Sequence, residues 1–164
     1  MKKGLVDFDE IEGLTAIEVA KKFIGVKEIP GVNHNGKIVD MLRLDDISQA
    51  TDETPWCSAF VNYVCWLQGL ERSKSLSARS WLKIGREIDI ESAAPGNVIV
   101  VLKRGVGNQP GKEVLQAPGH VGFFNGLTDL RKRISVLGGN QSDSVKISSF
   151  PLDLLLSCRE LSYV

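Results

Sequence analysis

A chain of 164 residues, 43% hydrophobic and 24% charged, has the make-up of a globular domain and enough apolar mass to bury a core without disulfide or metal staples. Twenty basic and twenty acidic side chains cancel to no net charge, which argues against an electrostatically driven nucleic-acid binder. No apolar run approaches the roughly 20 residues that span a bilayer, and Asp7, Asp9, Glu10 and Glu12 break up any leader-like stretch behind Lys2 and Lys3, so neither membrane insertion nor a signal peptide is expected.

Residues 1–13 are weakly patterned and read as a loose N-terminal segment of a single domain covering 1–164. Thr15 followed three residues later by Glu18 is a capping box, and Ile17, Ala20, Phe23 and Ile24 supply the apolar face of a short helix ending at Gly25. Glu28-Ile29-Pro30-Gly31 and Asn33-His34-Asn35-Gly36 are turns. Ile38, Val39, Leu42 and Leu44 predict a second helix, and a polar segment from Asp45 to Glu53 leads into a third. There Thr54 has the chemistry of an N-cap and Pro55 suits the first helical position. Phe60, Val61, Val64 and Leu67 carry the helix to Gly69. A small helix is expected from Ser77 to Gly85, with Ala78, Trp81 and Leu82 inward.

From Ala94 the period changes. Val98 to Leu102 is a continuous β-branched run, a buried strand. Residues 104–118 hold three glycines and two prolines and read as a long surface loop of the functional kind. His120–Phe124, Ile134–Leu137 and Val145–Ser148 are further strands, and Leu154 to Tyr163 adds one more, expected at the edge. Helices first and strands afterwards predict an α+β fold with an antiparallel sheet. The Arg131-Lys132-Arg133 run reads as a solvated hairpin turn.

Three cysteines, Cys57, Cys65 and Cys158, are an odd number without C-x-x-C spacing, so neither a disulfide framework nor a zinc knuckle is expected. Cys65 and Cys158 read as core. Cys57 falls in the first turn of its helix, where about half a positive charge from the aligned peptide dipoles favours a thiolate. The plain alternative is a small buried hydrophobe. His120 opens a strand directly after a Pro-Gly turn, where an imidazole can face a cleft and serve as the base for a thiol; a half-exposed edge histidine is the alternative. If the His120 and Ile134 strands are hairpin neighbours, Asn140 lies beside His120. Its side-chain carbonyl could then fix the imidazole tautomer, or Asn140 could simply hold a left-handed turn. His34 reads as a turn-former, with substrate contact as the minority reading, and Trp56 divides between core and cleft wall.

In order, Thr54-Pro55-Trp56-Cys57-Ser58-Ala59-Phe60-Val61, Pro95-Gly96-Asn97-Val98, Gly119-His120-Val121-Gly122-Phe123 and Leu137-Gly138-Gly139-Asn140-Gln141 resemble the NlpC-type and CHAP-type cell-wall hydrolases, a branch of the papain-like cysteine peptidase superfamily. A group of small bacterial and phage proteins in that branch also carries a segment like Glu28, Gly31, His34 and Asn35, and the likeness covers roughly 15–150. It implies a papain-like α+β fold with the nucleophile helix packed on a C-terminal antiparallel sheet. It also implies amide hydrolysis in peptidoglycan, within the stem peptide or between muramic acid and alanine. Cys57 would attack, His120 would move the proton and Asn140 would orient His120. The Cys57 backbone N–H would help hold the oxyanion, and Asp52, Glu53, Trp56, Ser58, Gln141 and His34 are candidates for oxyanion or substrate contact. No metal or cofactor is called for, and a monomer is expected. The partner would be peptidoglycan, with a phage holin releasing the protein or a secretion system delivering it against an immunity protein. A wall-binding or phage structural module without catalysis, and a zinc protein using Cys57, His120, Cys158 and His34, are the competing readings.

Overall fold

The architecture turns on one helix that is apolar almost all round. In the computed structural model, which describes residues 2–3, 6–30, 34–45 and 55–164, α1 spans Ala16–Lys21, α2 spans Gly36–Arg43 and α3 spans Cys57–Gln68. Ten of the α3 side chains are buried, and a helix apolar on every side belongs in the middle of a protein. Gly69 ends it at φ 67°, a left-handed angle that costs glycine nothing.

The expected capping box of α1 is present, with Glu18 accepting from the Thr15 backbone N–H at 2.7 Å. The helix stops at Lys21, however, so Ile24 is not on its apolar face and is 49% exposed. Asn35 caps α2 by accepting from the Lys37 backbone N–H at 3.0 Å. The expected helix after Ser77 is a 3-10 helix at Ala78–Lys83, with Trp81 fully buried. Lys2–Lys3 (β1) and Val6–Asp7 (β2) pair with each other, and Ile11 is buried in the core around α3.

The remaining strands are β3 Arg86–Ile88, β4 Val98–Lys103, β5 Gly119–Thr128, β6 Arg133–Gln141, β7 Ser144–Pro151 and β8 Leu155–Glu160. They form one antiparallel sheet in the order β3-β8-β4-β5-β6-β7. The C-terminal strand β8 is therefore interior, not the expected edge. A 3-10 turn at Leu152–Leu154 carries the chain from β7 back to β4, and β3, too short to announce itself by alternation, takes the edge.

Side chains alternate across a strand, so each face of the sheet has its own core. One face, with Ile99, Val101, Val121, Phe123 and Leu137, packs under α1 and α3; Phe60 of α3 meets Phe123 edge-on, with ring centres 6.1 Å apart. The other, with Val98, Val100, Leu102, Phe124, Ile134 and Val136, is covered by residues such as Phe150, Leu152 and Leu154 around the return turn. Gly139 shows how tightly the first layer closes: a Cβ there would lie 2.6 Å from the Trp56 ring. Among the described residues, no helix is long and apolar enough to cross a membrane.

Candidate active site

Helix α3, which carries Cys57, starts two residues later than Pro55. Its first residue is Cys57, and Trp56, in the N-cap position, offers no side-chain cap. The reason is the Trp56 indole, which is fully buried and anchored by an Nε1–H bond to Glu28 at 2.8 Å; it is core, not cleft wall. Thr54, Asp52 and Glu53 lie outside the described residues.

The first helical bond runs from the Phe60 N–H to the Trp56 carbonyl at 3.0 Å, which leaves the amides before it without intrahelical acceptors. Two of these, from Cys57 and Ser58, together with the Val121 N–H of β5, are aimed at the Cys57 thiol and favour its ionised form. Burial outweighs them. Cys57 is 4% exposed, and desolvation leaves its pKa above the ordinary thiol value. The helix dipole, worth at most about 2 kcal/mol, does not prevail over a desolvation that can move a pKa by several units. The thiolate expected from the helix register is thus corrected to a neutral resting thiol.

His120 enters at the second residue of β5 and is also buried, 5% exposed. Its Nε2 lies 2.9 Å from Oε1 of Gln141. The Gln141 amide nitrogen donates to the Val136 and Lys146 carbonyls at 3.2 and 2.7 Å, so the amide cannot turn over, and the ring must be the donor. That puts the imidazole proton on Nε2 and leaves Nδ1, the nitrogen nearer the backbone, as the free base. Burial, assisted by the Arg104 charge, pulls His120 down to about 4 against the pull of the Gln141 bond.

The partner of His120 is therefore Gln141, not Asn140. Asn140 sits at φ 56°, and the β6–β7 register shifts between Gly138 and Gln141. A left-handed residue interrupts the alternation that pairing alone would give, and the following side chain swings under the imidazole. Gly138 is small for the same reason, since a Cβ there would lie 2.5 Å from Gln141 Oε1 and 3.2 Å from His120 Nε2.

His120 pairs with Leu102 across the sheet and stacks on Phe150, with ring centres 5.4 Å apart and a tilt of 31°. It therefore faces the second layer, whereas Cys57 packs in the first. The two approach through the backbone, where the thiol meets the N–H of the residue after His120. A groove of about 610 Å³ opens beside the imidazole, lined by His120, Asn140, Gln141, Phe150 and Arg104 among others; Cys57 is not part of that lining.

Other candidates separate. Ser58 is fully buried, its hydroxyl donating to the Ser75 carbonyl at 2.5 Å and accepting from the Trp81 Nε1–H at 2.8 Å, which leaves no surface for a substrate. His34 is exposed on the turn before α2. Cys65 and Cys158 are core, and burial pushes the Cys158 thiol up to about 12. Among the described residues no group of three or more His, Cys, Asp or Glu side chains could hold a metal, so the zinc ligand set is not assembled.

Two residues that carry no motif organise the surroundings. Arg79 is fully buried, and its guanidinium donates to the carbonyls of Pro110, Gly111, Val114 and Pro118 at 2.7–3.0 Å, pinning the loop between β4 and β5. Arg104, at the root of that loop, lies on the groove and exerts its charge on both His120 and Cys57. An arginine inside a run of small polar residues, Ser77 to Ser80, was the available signal for the first; nothing local marks the second.

No protein-family model and no curated protein matches the chain. Among solved structures, the fold is similar to that of NlpC1 from Trichomonas vaginalis, with a TM-score of 0.52 at 14% identity over 96% of this chain and 49% of that one. The chain thus spans about half the length of that neighbour, and at this identity the likeness is one of fold. The α+β architecture, with the helix that begins at Cys57 packed against an antiparallel sheet, is consistent with an NlpC-like fold and is the class expected from helices followed by strands.

Proposed function

We propose that the protein is a cysteine hydrolase that cleaves amide bonds in peptidoglycan. The observation that carries the reading is the fixed imidazole: Gln141 commits its Nε2 proton and frees Nδ1, on the strand whose next N–H meets the Cys57 thiol. The NlpC-like fold agrees with it. The proposed reaction requires His120 Nδ1, which faces the second layer at rest, to come within reach of the thiol and take its proton as sulfur adds to the substrate carbonyl. The amides at the start of α3, the Cys57 N–H first, then receive the oxyanion. The imidazolium returns its proton to the departing amine, and water, deprotonated by the same nitrogen, releases the acyl group from sulfur. Holding both groups neutral at rest keeps the pair unreactive until a substrate fills the site. In this proposal the protein reaches the wall through a phage holin pore or a secretion system.

The buried thiol and its absence from the groove favour a second reading, a wall-binding or phage structural module without catalysis. Purified peptidoglycan separates the two. The native protein should release fragments with new free amines on stem residues, or free glycan chains if the muramic acid–alanine bond is cut, both read by mass spectrometry. Cys57→Ala should release none while melting at an unchanged temperature. Full release by that variant, or none by the native protein, would overturn the hydrolase reading.

A further inference from the structure

We propose that Glu28 and Trp56 are positioning residues for the hydrolysis: together they fix the start of α3, and with it Cys57, against the turn that follows Gln141. Their effect on turnover rests on the hydrolase reading; their geometry does not. The peptide plane between Trp56 and Cys57 is rigid, so the direction of its carbonyl sets the direction of the Cys57 N–H. That carbonyl accepts from the Phe60 N–H at 3.0 Å. The Cys57 N–H on the same plane is aimed at the thiol and is the first donor assigned to the oxyanion.

The Trp56 side chain decides where that plane sits. Its indole is fully buried and lies on Gly139, where a Cβ would come within 2.6 Å of Cζ3 and 2.8 Å of Cε3. The preceding Gly138 backs the imidazole, since a Cβ there would lie 3.2 Å from His120 Nε2. The ring therefore rests on the stretch of β6 behind His120. At its other end the indole N–H donates to Glu28 Oε1 at 2.8 Å. Glu28 is tied to the far end of the same stretch. Its backbone N–H donates to the Asp143 carbonyl at 2.9 Å, in the turn between β6 and β7, and the adjacent Lys27 bridges to Ser144. Cys57, Trp56, Glu28, Asp143 and Gln141 thus form a chain of covalent and hydrogen-bonded links, closed by the ring on Gly139. It joins the thiol in the first layer to the amide that holds the imidazole in the second. A buried indole needs only a partner for its N–H, and Trp81 shows the plain case, bonded to the neutral Ser58 hydroxyl at 2.8 Å. Trp56 has a carboxyl oxygen of Glu28 instead, the stronger kind of acceptor when ionised. Neither Glu28 nor Trp56 lines the groove beside His120, so they act on the spacing of the reacting groups and not on contact with substrate.

The test is made on the full chain with soluble muropeptides from purified peptidoglycan, following the amine released, at a temperature where every variant is folded. Glu28→Leu, which removes the acceptor, should lower kcat by about 10²-fold, the scale of a 1 Å misplacement, and leave KM within about twofold of the native value. Glu28→Gln keeps an oxygen for the indole and should regain most of the lost kcat. Trp56→Phe lacks the N–H and should also be slow. Combining Glu28→Leu with Trp56→Phe should cost no more than the worse single change, because both act through one bond. A residue that only held the fold together would shift the melting temperature without this split between kcat and KM. Read by NMR and independently of turnover, the backbone amide resonances of Cys57 and Ser58 should move in Glu28→Leu and return in Glu28→Gln, while those of Cys158 and Arg159 on β8 stay in place. An unchanged kcat in Glu28→Leu, no rescue by Glu28→Gln, losses that multiply in the double variant, or unmoved amides at 57 and 58 overturns the proposal. If the native protein releases no amine, the hydrolase reading falls and the amide shifts alone decide whether Glu28 and Trp56 place the helix start.

Discussion

Gln141 has both ends of its amide committed, nitrogen to two backbone carbonyls and oxygen to the His120 ring. A side chain so held dictates which imidazole nitrogen can act as base. In the proposed hydrolase, Gln141→Leu should therefore lower turnover by about 10²-fold, the scale of a mispositioned general base. NMR of the ring should show a mixture of tautomers in place of the single Nε2–H form. Asn140→Gly should leave turnover near the native value, because glycine adopts a φ of 56° without strain. A reversal, with Asn140→Gly inactive and Gln141→Leu active, would return the orienting role to Asn140. The two amides are adjacent in sequence and both stood out as candidates. What separates them is a backbone angle and a bulge, and neither residue type reveals those on its own.

Among the elements, the segment between β4 and β5 depends most on a distant side chain. A fully buried guanidinium that satisfies four carbonyls makes an ordered structure of a stretch that otherwise has little apolar surface to bury. Removing it orphans those carbonyls at about 1–3 kcal/mol for each one that water cannot reach. Arg79→Met should lower the melting temperature and make residues 104–118 the first site of limited proteolysis. An unchanged cleavage pattern would show that the loop holds itself. The long loop was legible from its glycines and prolines, and the start of α1 from its capping box. The Arg79 clamp was not, since it joins positions 31 to 39 residues apart. The start of α3 shows the same limit: Pro55 suits a first helical turn, yet the Trp56 anchor to Glu28 decides where the turn begins.

For the molecule as a whole, burial of the imidazole couples folding to pH. The unfolded chain protonates His120 near the ordinary 6.5, whereas the folded chain does so only at about 4. Between those values the unfolded state binds more protons, so acid favours unfolding. The contribution is complete above about pH 6.5 and is lost as the pH falls to about 4. It is worth on the order of 3 kcal/mol. Melting temperatures recorded from pH 7 to pH 4 should fall more steeply for the native protein than for His120→Gln. Parallel curves would mean that the ring is hydrated in solution.

From the sequence alone came the α+β class, the order of helices and strands, the capped start of α1, and Cys57 at the head of an apolar helix. All of these follow from hydrophobic period and capping chemistry, which act over a few neighbouring residues. The tertiary structure decided that Gln141 and not Asn140 meets His120, that burial raises the pKa of the thiol, that β8 lies inside the sheet, that Arg79 pins the loop between β4 and β5, and that Arg104 lines the groove. Strand register, desolvation and long-range charge are sums over residues far apart in the chain, and they take a value only when the chain has closed on itself.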